Sequence, residues 1–318
     1  MMVVWRKTGK REHRLFRELP DILKPDCFLV LNNTRVFPAR LRARRSGKAE
    51  QIEILLVREM EPGSWLALVK PGRKAPMGQA LEIKHLRARV AEVHPSGSRI
   101  LHFDQTNDLL SEFAKIGETP LPPYIHRTRR EDSDGDKSRY QTIYAGVPGS
   151  VAAPTAGLHF TEKVFRGLEE KGIGKCEILL HVGYGTFQPV RCSEIENHRM
   201  EPEYFEVSDS AAVFISGEKL RGRRLVAVGT TTTRVLEYLA LNGTFPEGQA
   251  RGWCDLFIYP GFHFHMLDGL LTNFHLPRSS LFMLACAFAG RDLMLDCYRE
   301  AIAESYRFFS YGDCMLLL

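Results

Sequence analysis

The stretch RLVAVGTTTTRVLE, residues Arg224–Glu237, decides the fold class of this chain. Its first five residues, Arg224–Val228, have the length and apolar character of a buried strand. Gly229 ends that run, and the four threonines that follow begin a helix. A strand that leads directly into a helix is typical of α/β proteins.

The rest of the second half repeats this alternation of strands and helices. Helices are predicted over Thr161–Lys171, Asp209–Lys219, Thr231–Leu241, Ser280–Ala289 and Arg291–Ser305, and strands over Cys176–Val182, Arg224–Val228 and Leu256–Tyr259. Such alternation predicts an α/β layer with a mostly parallel sheet.

The first half has a different pattern, because short strands dominate it from about Arg40 to Phe103. Strands are predicted at Val3–Trp5, Phe28–Leu31, Ile52–Val57, Trp65–Val69, Ala80–Ile83, Ala88–Val93 and Arg99–Phe103. Turn-rich spacing of this kind favours a small barrel or sandwich. A short helix is expected at Asn107–Ile116 and a charged surface loop at Arg127–Arg139.

We therefore predict an α/β fold with a mostly parallel sheet, helices and a small inserted antiparallel β-barrel. The α/β domain is predicted to comprise residues 1–45 and 106–318, and the barrel domain residues 46–105.

The charge distribution says more than the composition does. Of the 318 residues, 44% are hydrophobic and 25% charged, which excludes collagen-like, coiled-coil and wholly disordered classes. Residues 1–150 contain 27 Lys and Arg against 18 Asp and Glu, whereas residues 151–318 contain 16 against 20. This asymmetry predicts a polyanionic partner that meets mainly the first half.

Seven cysteines, an odd number with no C-x-x-C pair, argue against a disulfide framework or a zinc cluster. Since no H-E-x-x-H motif or paired His/Cys spacing occurs, we expect no bound metal. The longest strongly apolar run, Leu281–Ala289, is too short to cross a membrane. Residues 1–7 lack the apolar core of a signal peptide. We therefore expect a cytoplasmic protein that contacts no membrane.

Polar residues placed between apolar runs mark the first candidate site segments. Asn32–Arg35 follows a strand with two amides, a hydroxyl and a guanidinium, which fits either a ligand site or an Asn-rich turn. The small residues of Gly149–Thr161 allow a backbone to approach a ligand closely. Ser150, Thr155 and His159 would then face one pocket, and a tight crossover loop is the alternative.

Glycines and threonines mark two further segments. His181–Val190 contains Gly-x-Gly, but Thr-Phe-Gln-Pro follows instead of a helix, so a dinucleotide-binding fingerprint fits poorly. A P-loop motif is absent. The free N–H groups at the helix start after Gly229 suit a carboxylate or a phosphate. Capping by threonine is the alternative, although four in a row exceed what capping requires.

Histidines define the last candidates. Leu271–Ser280 crowds Asn, His and Ser together, which is typical of a catalytic rim. His275 can equally be a satisfied core histidine, and the two serines that end the segment can simply cap the next helix. His198, with Glu201 and Glu203 close by, is either an acid/base cluster or an ion-rich surface loop.

Taken in order, eight segments resemble the S-adenosylmethionine:tRNA ribosyltransferase-isomerase family of queuosine biosynthesis (QueA family). They are Asn32–Leu41, Gly117–Ile125, Tyr140–Ala145, Gly149–Thr161, His181–Val190, Gly229–Glu237, Thr272–Gly290 and Ser310–Leu316. The resemblance runs from about Val3 to the C-terminus. It implies an α/β domain with an inserted β-barrel, in agreement with the pattern above.

The resemblance implies an unusual transfer reaction. In this family S-adenosylmethionine donates its ribosyl group to 7-aminomethyl-7-deazaguanine in the tRNA anticodon. The ribosyl unit is isomerised to an epoxycyclopentanediol, which gives epoxyqueuosine and releases adenine and methionine. S-adenosylmethionine is then a co-substrate, no cofactor is expected, and we expect a monomer whose partner is tRNA.

This chemistry moves protons at the acidified C5′ position and at the leaving adenine, and it therefore needs groups that titrate near neutral pH. The candidate catalytic residues are His159, His181, His198 and His275. The candidate substrate-binding residues are Asn32, Asn33, Thr34, Arg35, Thr155, Gly157, Gly183, Gly185, Thr186, Gly229, Thr230, Thr231, Thr232, Arg234, Asn273, Ser279 and Ser280. The candidate tRNA-binding residues are Arg40, Arg42, Arg44 and Arg45, and Arg35 is a further candidate for contact with tRNA phosphates. A strand edge protected by charge is the alternative for these arginines.

The chain departs from the family pattern in three places. It begins some two dozen residues later, Asn33 stands where the family typically has Asp, and Glu201 where it typically has His. A catalytically impaired or inactive tRNA-binding relative is therefore the alternative function. A conventional S-adenosylmethionine methyltransferase is disfavoured, because the Gly-rich loop between strand and helix is missing.

Overall fold

A computed structural model describes residues 1–48, 50–104, 108–122, 125, 133–183, 185, 190, 192, 194–243 and 248–318. The chain divides into two compact units. The sheet unit contains residues 1–34, 142–147 and 154–318, and the barrel unit contains residues 35–141 and 148–153.

The secondary structure elements are numbered in chain order. The strands are β1 (Met2–Trp5), β2 (Lys10–His13), β3 (Cys27–Asn32), β4 (Thr34–Val36), β5 (Arg40–Arg45), β6 (Gln51–Glu61), β7 (Ser64–Lys70), β8 (Ala80–Ile83), β9 (Leu86–Val93), β10 (Arg99–Phe103), β11 (Val147–Ser150), β12 (Gly174–Leu180), β13 (Glu203–Val207), β14 (Arg224–Val228), β15 (Ala250–Cys254), β16 (Gly269–Asn273) and β17 (Cys314–Leu317). The α-helices are α1 (Leu19–Ile22), α2 (Leu109–Ile116), α3 (Ser133–Arg139), α4 (Glu162–Glu170), α5 (Asp209–Leu220), α6 (Thr230–Leu241), α7 (Ser280–Ala289) and α8 (Arg291–Ala303). Short 3-10 helices cover Phe16–Glu18, Gly72–Lys74, Thr155–His159 and Ile195–Asn197.

The sheet unit is built on a mixed sheet in the order β15-β13-β12-β3-β14-β16-β17-β1-β2. The central strands β12, β3, β14 and β16 are all parallel to one another. β13 and β15 add to one side as antiparallel strands, and β17 pairs antiparallel with β16 on the other. The α/β fold class is confirmed, and the parallel pairing is concentrated in the centre of the sheet.

Helices cover both faces of this sheet, as an α/β layer requires. On one face, buried residues of the central strands pack against α4 and the segment before it; they include Leu29, Leu31, Val226, Val228, Phe160, Val164 and Leu168. On the other face, Phe28 contacts Phe214 of α5 with ring centroids 5.8 Å apart. Because β3 is covered on both faces, all of its residues are buried, which explains its continuous apolar sequence.

The barrel unit contains a closed barrel in the order β10-β7-β6-β5-β8-β9. Its strands pair antiparallel, and alternate residues of β6 and β7, such as Ile52, Ile54 and Trp65, point inward. The predicted antiparallel barrel is confirmed. Closure leaves no unpaired strand edge. The barrel includes β5, and the unit as a whole extends well beyond residues 46–105, so those domain limits stay a prediction.

Two predicted elements differ from the structure. Leu256–Tyr259 is not a strand, and the carbonyl of Leu256 accepts a hydrogen bond from the side chain of Arg234. The charged segment Arg127–Arg139 is partly helical, since α3 occupies its second half; residues 126–132 lie outside the described residues. Within residues 135–139 only Asp136 is buried, so the sequence has no apolar periodicity that predicts this helix.

None of the helices in the described part of the chain combines the length and the apolar character that a membrane crossing requires. All seven cysteines are free thiols. Among the described residues, no group of three or more His, Cys, Asp or Glu side chains is placed to hold a metal ion.

Candidate active site

The predicted site residues gather where the central parallel strands end. Parallel strands bring their carboxyl ends to one edge of a sheet, which is where ligands bind in open α/β folds. Asn32 and Asn273 are the last residues of β3 and β16, while His181 and Gly229 directly follow β12 and β14. Four separate sequence motifs thus meet at one sheet edge.

Asn32 is a clamp between these strand ends. It is fully buried, and its Nδ2 donates to the carbonyl of Leu180 at 2.9 Å and to the hydroxyl of Thr231 at 3.3 Å. Its Oδ1 accepts from the backbone N–H groups of Thr34 and Leu180. Because these contacts use both the nitrogen and the oxygen of the amide, Asn32 links the ends of β3 and β12 to the start of α6.

Asn33 behaves differently from its neighbour. Its Nδ2 makes a long contact of 3.5 Å with the Glu177 carboxylate. Its Oδ1 is buried and has no hydrogen-bond partner among the described residues. A buried acceptor without a donor is costly, and such an atom is often satisfied by a ligand or a water molecule.

Thr34 and His181 form a direct pair at the ends of β3 and β12. The Thr34 hydroxyl lies 2.8 Å from His181 Nδ1. The imidazole also stacks on Tyr204, with ring centroids 6.0 Å apart and planes 26° from parallel. Burial lowers the pKa of His181 to about 4, so its ring is neutral at neutral pH.

His159 and Asn273 form a second pair, in which the contacts of Asn273 determine which ring nitrogen of His159 carries the proton. Asn273 Nδ2 donates to the carbonyls of Phe309 and Ser310. Its Oδ1 therefore faces His159, whose Nε2 lies 3.2 Å away and must donate. Burial lowers the pKa of His159, with the Asn273 bond acting in the opposite direction. The neutral ring then carries its lone pair on Nδ1, as a general base requires.

Gly157, in the same 3-10 helix as Thr155, permits a close approach by Tyr144. A Cβ at position 157 would lie 2.0 Å from the Tyr144 hydroxyl and 2.7 Å from Cγ2 of Thr142, so no larger residue fits without rearrangement. The hydroxyls of Tyr144 and Thr142 are buried without hydrogen-bond partners among the described residues. Burial, and to a smaller extent Glu177, raises the pKa of Tyr144.

Sequence reasoning missed these two hydroxyls as site candidates. Both lie in the segment Tyr140–Ala145, which contributes to the family resemblance. Their residue types alone indicate no particular chemistry, and only their burial without partners does.

The start of α6 uses most of its threonine hydroxyls internally. Gly229 has φ +92°, a backbone conformation that glycine adopts readily. Thr232 and Thr233 donate to backbone carbonyls four residues earlier, and Thr231 accepts from Asn32. Among the described residues, the Thr230 hydroxyl has no hydrogen-bond partner and remains for a ligand, together with the N–H groups of the first turn.

Arg234 belongs to a buried ion pair. Its guanidinium contacts the Glu203 carboxylate and also donates to the carbonyls of Leu256 and Cys254. The other oxygen of Glu203 accepts from the backbone N–H of Gly183 at 2.7 Å. Arg234 therefore positions the loop that follows β12. This use of the side chain argues against its predicted role in direct substrate binding.

The remaining glycine-loop candidates are only partly described. Gly185 lies beside the Glu201 carboxylate. Thr186 lies outside the described residues, and its predicted role stays a prediction. The proposed cluster of His198 with two glutamates does not assemble among the described contacts, since Glu203 pairs with Arg234. His198 instead packs edge-on against Phe257, and burial lowers its pKa.

His275 and the two serines after it have structural contacts. His275 is 8% exposed, its Nε2 lies 2.6 Å from the Thr272 hydroxyl, and burial lowers its pKa to about 3. Ser279 caps α7 by accepting from the N–H of Phe282, and Ser280 is the first residue of that helix. These contacts favour the alternatives of a core histidine and helix capping.

Comparison with known proteins assigns the family. A family model described as queuosine biosynthesis protein matches residues 1–317. The chain belongs to this family.

Two similar proteins carry the same name. The S-adenosylmethionine:tRNA ribosyltransferase-isomerases of Desulfitobacterium hafniense and Moorella thermoacetica are 47% and 48% identical to this chain, and each alignment covers 100% of the chain and 92% of the relative. The crystal structure of the S-adenosylmethionine tRNA ribosyltransferase of Thermotoga maritima is similar with a TM-score of 0.54 and 39% identity, covering 100% of this chain and 91% of that one. The predicted family is confirmed.

The arginines predicted to bind tRNA are engaged in ion pairs within the barrel unit. Arg42 contacts Glu53 and Glu118, each at 3.0 Å, and the hydrogen bond to Glu118 raises the pKa of Arg42. Arg44 and Arg45 pair with Glu82 and Glu50, and Arg40 donates to the carbonyl of Leu121. β5 pairs with β6 and β8, so it is not an edge strand. Their role in binding RNA stays a prediction, and their acidic partners argue against it.

Proposed function

We propose that the chain transfers the ribosyl group of S-adenosylmethionine to 7-aminomethyl-7-deazaguanine in a tRNA anticodon and isomerises it, which gives epoxyqueuosine-tRNA, adenine and methionine. The observation that carries the proposal is the full-length similarity to relatives named S-adenosylmethionine:tRNA ribosyltransferase-isomerase. Because the family match extends over residues 1–317, the alternative of an inactive relative is not favoured.

Support for the proposal comes from two partly buried imidazoles, His159 and His181, which are neutral at neutral pH because burial lowers the pKa of each. The C5′ proton beside a sulfonium is acidified, and a neutral imidazole can remove it. His159 presents Nδ1 as the acceptor, because Asn273 holds its Nε2–H. His181 is the second neutral imidazole, and the contact with Thr34 fixes the direction of its ring.

The other polar groups suit binding of the small substrate. S-adenosylmethionine carries a carboxylate and two ribose hydroxyls. The first turn of α6 offers N–H groups and the positive end of a helix dipole, to which the Thr230 hydroxyl adds a donor. Asn33 Oδ1 and the hydroxyls of Thr142 and Tyr144, which lack hydrogen-bond partners among the described residues, provide one acceptor and two hydroxyls for a bound ligand.

We further propose that the protein acts as a cytoplasmic monomer, with tRNA as its macromolecular partner. S-adenosylmethionine is then consumed as a co-substrate, and we propose no cofactor.

Product analysis tests the proposed function. Purified protein is incubated with S-adenosylmethionine and tRNA that carries the modified base, and the small molecules are separated by chromatography with mass detection. Adenine and methionine in equal amounts are the expected products. Release of S-adenosylhomocysteine would show methyl transfer and overturn the proposal. Binding of tRNA without any product would identify the protein as an inactive relative.

Histidine variants test the proton transfers. His159→Gln and His181→Gln are each expected to reduce adenine release by about 10²-fold or more, the usual contribution of general acid–base catalysis. His263→Gln serves as the matched control, because His263 is exposed and has no predicted role in the site. Adenine release that stays intact in both site variants would overturn the assignment of these bases.

A further inference from the structure

A cleft in the barrel unit combines two cations with an apolar wall. It has a volume of about 380 Å³, within the usual range of ligand pockets. Arg35 and Lys137 supply the cations, and Phe37, Leu110 and Ala114 contribute to the apolar wall.

Unlike the arginines of β5, these two cations have no acidic partner among the described residues. Arg35 and Lys137 are exposed, and neither side chain has an ion pair or a hydrogen bond among the described residues. The barrel unit as a whole contains 20 Lys and Arg against 14 Asp and Glu, a net charge of +6. Two unneutralised cations on one cleft in a positive unit attract an anionic ligand.

The apolar wall is held in place before any ligand arrives. The side-chain amide of Gln141 donates to the carbonyl of Val36 at 2.7 Å and accepts from its N–H at 3.0 Å. Phe37 is 4% exposed and packs against Trp65, with ring centroids 5.6 Å apart. Leu110 and Ala114 lie one turn apart on α2 and so share a face of the helix.

We propose that this cleft binds one unpaired nucleotide of the RNA substrate, with its phosphate on Arg35 and Lys137 and its base against the apolar wall. The inference rests on the proposed function only in taking RNA as the ligand. S-adenosylmethionine is a poorer fit, because it has a positive sulfonium and no phosphate. Arg35, which the sequence suggested both as a contact for the small substrate and as a contact for tRNA phosphates, is thereby assigned to the backbone of the RNA.

Binding of a fluorescein-labelled tRNA anticodon stem-loop, followed by fluorescence anisotropy at several salt concentrations, tests this inference. Arg35→Gln and Lys137→Gln are each expected to weaken binding by roughly 5-fold. Loss of each cation that neutralises a phosphate should also reduce the steepness of the slope of log K against log salt by about 0.7. Ala114→Trp fills the space for the base, and it should weaken binding without changing that slope.

Arg89→Gln is the matched control, because Arg89 is an exposed cation of β9 that does not line the cleft. The inference is overturned if the two cleft variants weaken binding no more than Arg89→Gln does, or if Ala114→Trp binds like the wild type. Binding needs no turnover, so it separates the two proposals. Stem-loop binding that depends on the cleft in a protein that releases no adenine would support the cleft and overturn the proposed function.

Discussion

Replacing Arg234 with methionine is expected to destabilise the sheet unit by about 3–5 kcal/mol, the usual cost of removing one partner from a buried ion pair. The side chains of Arg234 and Glu203 are both 4% exposed, so water cannot solvate the carboxylate that remains. The carbonyls of Leu256 and Cys254 lose a donor in the same step. Because a typical domain is stable by only about 5–15 kcal/mol, this loss is a large part of the total.

Urea unfolding followed by circular dichroism measures this change in the free energy of unfolding. Glu203→Gln is a milder variant, since it keeps the shape of the side chain and removes the charge; it should cost about 1.5–3 kcal/mol. The double variant Arg234→Met/Glu203→Leu is expected to be more stable than Arg234→Met alone, because no buried charge remains. With Glu203→Leu measured as the fourth member of the cycle, a double variant that loses less stability than the two single variants together shows that the two side chains interact.

An exposed ion pair provides the control for the buried one. Arg299 and Asp296 are 75% and 51% exposed, so Arg299→Met should cost less than about 1 kcal/mol. The reasoning is refuted if Arg234→Met unfolds at the same urea concentration as Arg299→Met. If Arg234 instead contacted substrate directly, the variant would keep its stability and lose only the additional stability that S-adenosylmethionine confers.

Three further perturbations test the geometry of the site. Gly157→Ala should reduce the stability by about 1–3 kcal/mol, because its Cβ would lie 2.0 Å from the Tyr144 hydroxyl. Adding Tyr144→Phe to this variant should recover part of the lost stability in thermal unfolding. No recovery would mean that the clash does not involve the hydroxyl. His275 has a pKa of about 3 in the folded protein against an ordinary value of 6.5 in the unfolded chain, so its contribution to stability is present above about pH 6.5 and falls by about 2 kcal/mol on acidification to pH 5. His275→Gln should therefore remove this part of the pH dependence of the free energy of unfolding, measured in urea. Equal acid sensitivity of the variant and the wild type would contradict the buried neutral ring. Asn273→Asp places a carboxylate beside His159 and should raise its pKa by about 1 unit or more in an NMR titration, whereas an unchanged midpoint would show that the two side chains do not touch.

Local patterns in the sequence predict most of the architecture. The helix α7 has the predicted limits, and five of the six barrel strands, β6 to β10, lie where alternation and turns predict them; β5 is not among the predicted strands. The parallel centre of the sheet also follows from the alternation of strands and helices. These features depend on residues within a few positions of one another, so a sequence window contains their cause.

The strands on either side of the parallel centre of the sheet could not be predicted in the same way. β17 has only four residues and β13 five, and neither is joined to its neighbour by a helical crossover of the βαβ kind. Antiparallel additions of this kind need no characteristic connection, so their pairing depends on where the chain returns in space.

The site shows the same division. The sequence by itself determined which polar motifs follow which strands, and it identified the family through their order. The roles of these residues are distinguished only in the tertiary structure. Asn32 joins the ends of β3 and β12 by hydrogen bonds, Arg234 holds the loop after β12 through its ion pair with Glu203, and His275 is a buried core residue. The partners of these side chains come from distant parts of the chain, such as Leu180 for Asn32, and burial then decides which groups stay neutral. Hydrogen bonding and desolvation act through space, which is why residue type and spacing alone could not assign these roles.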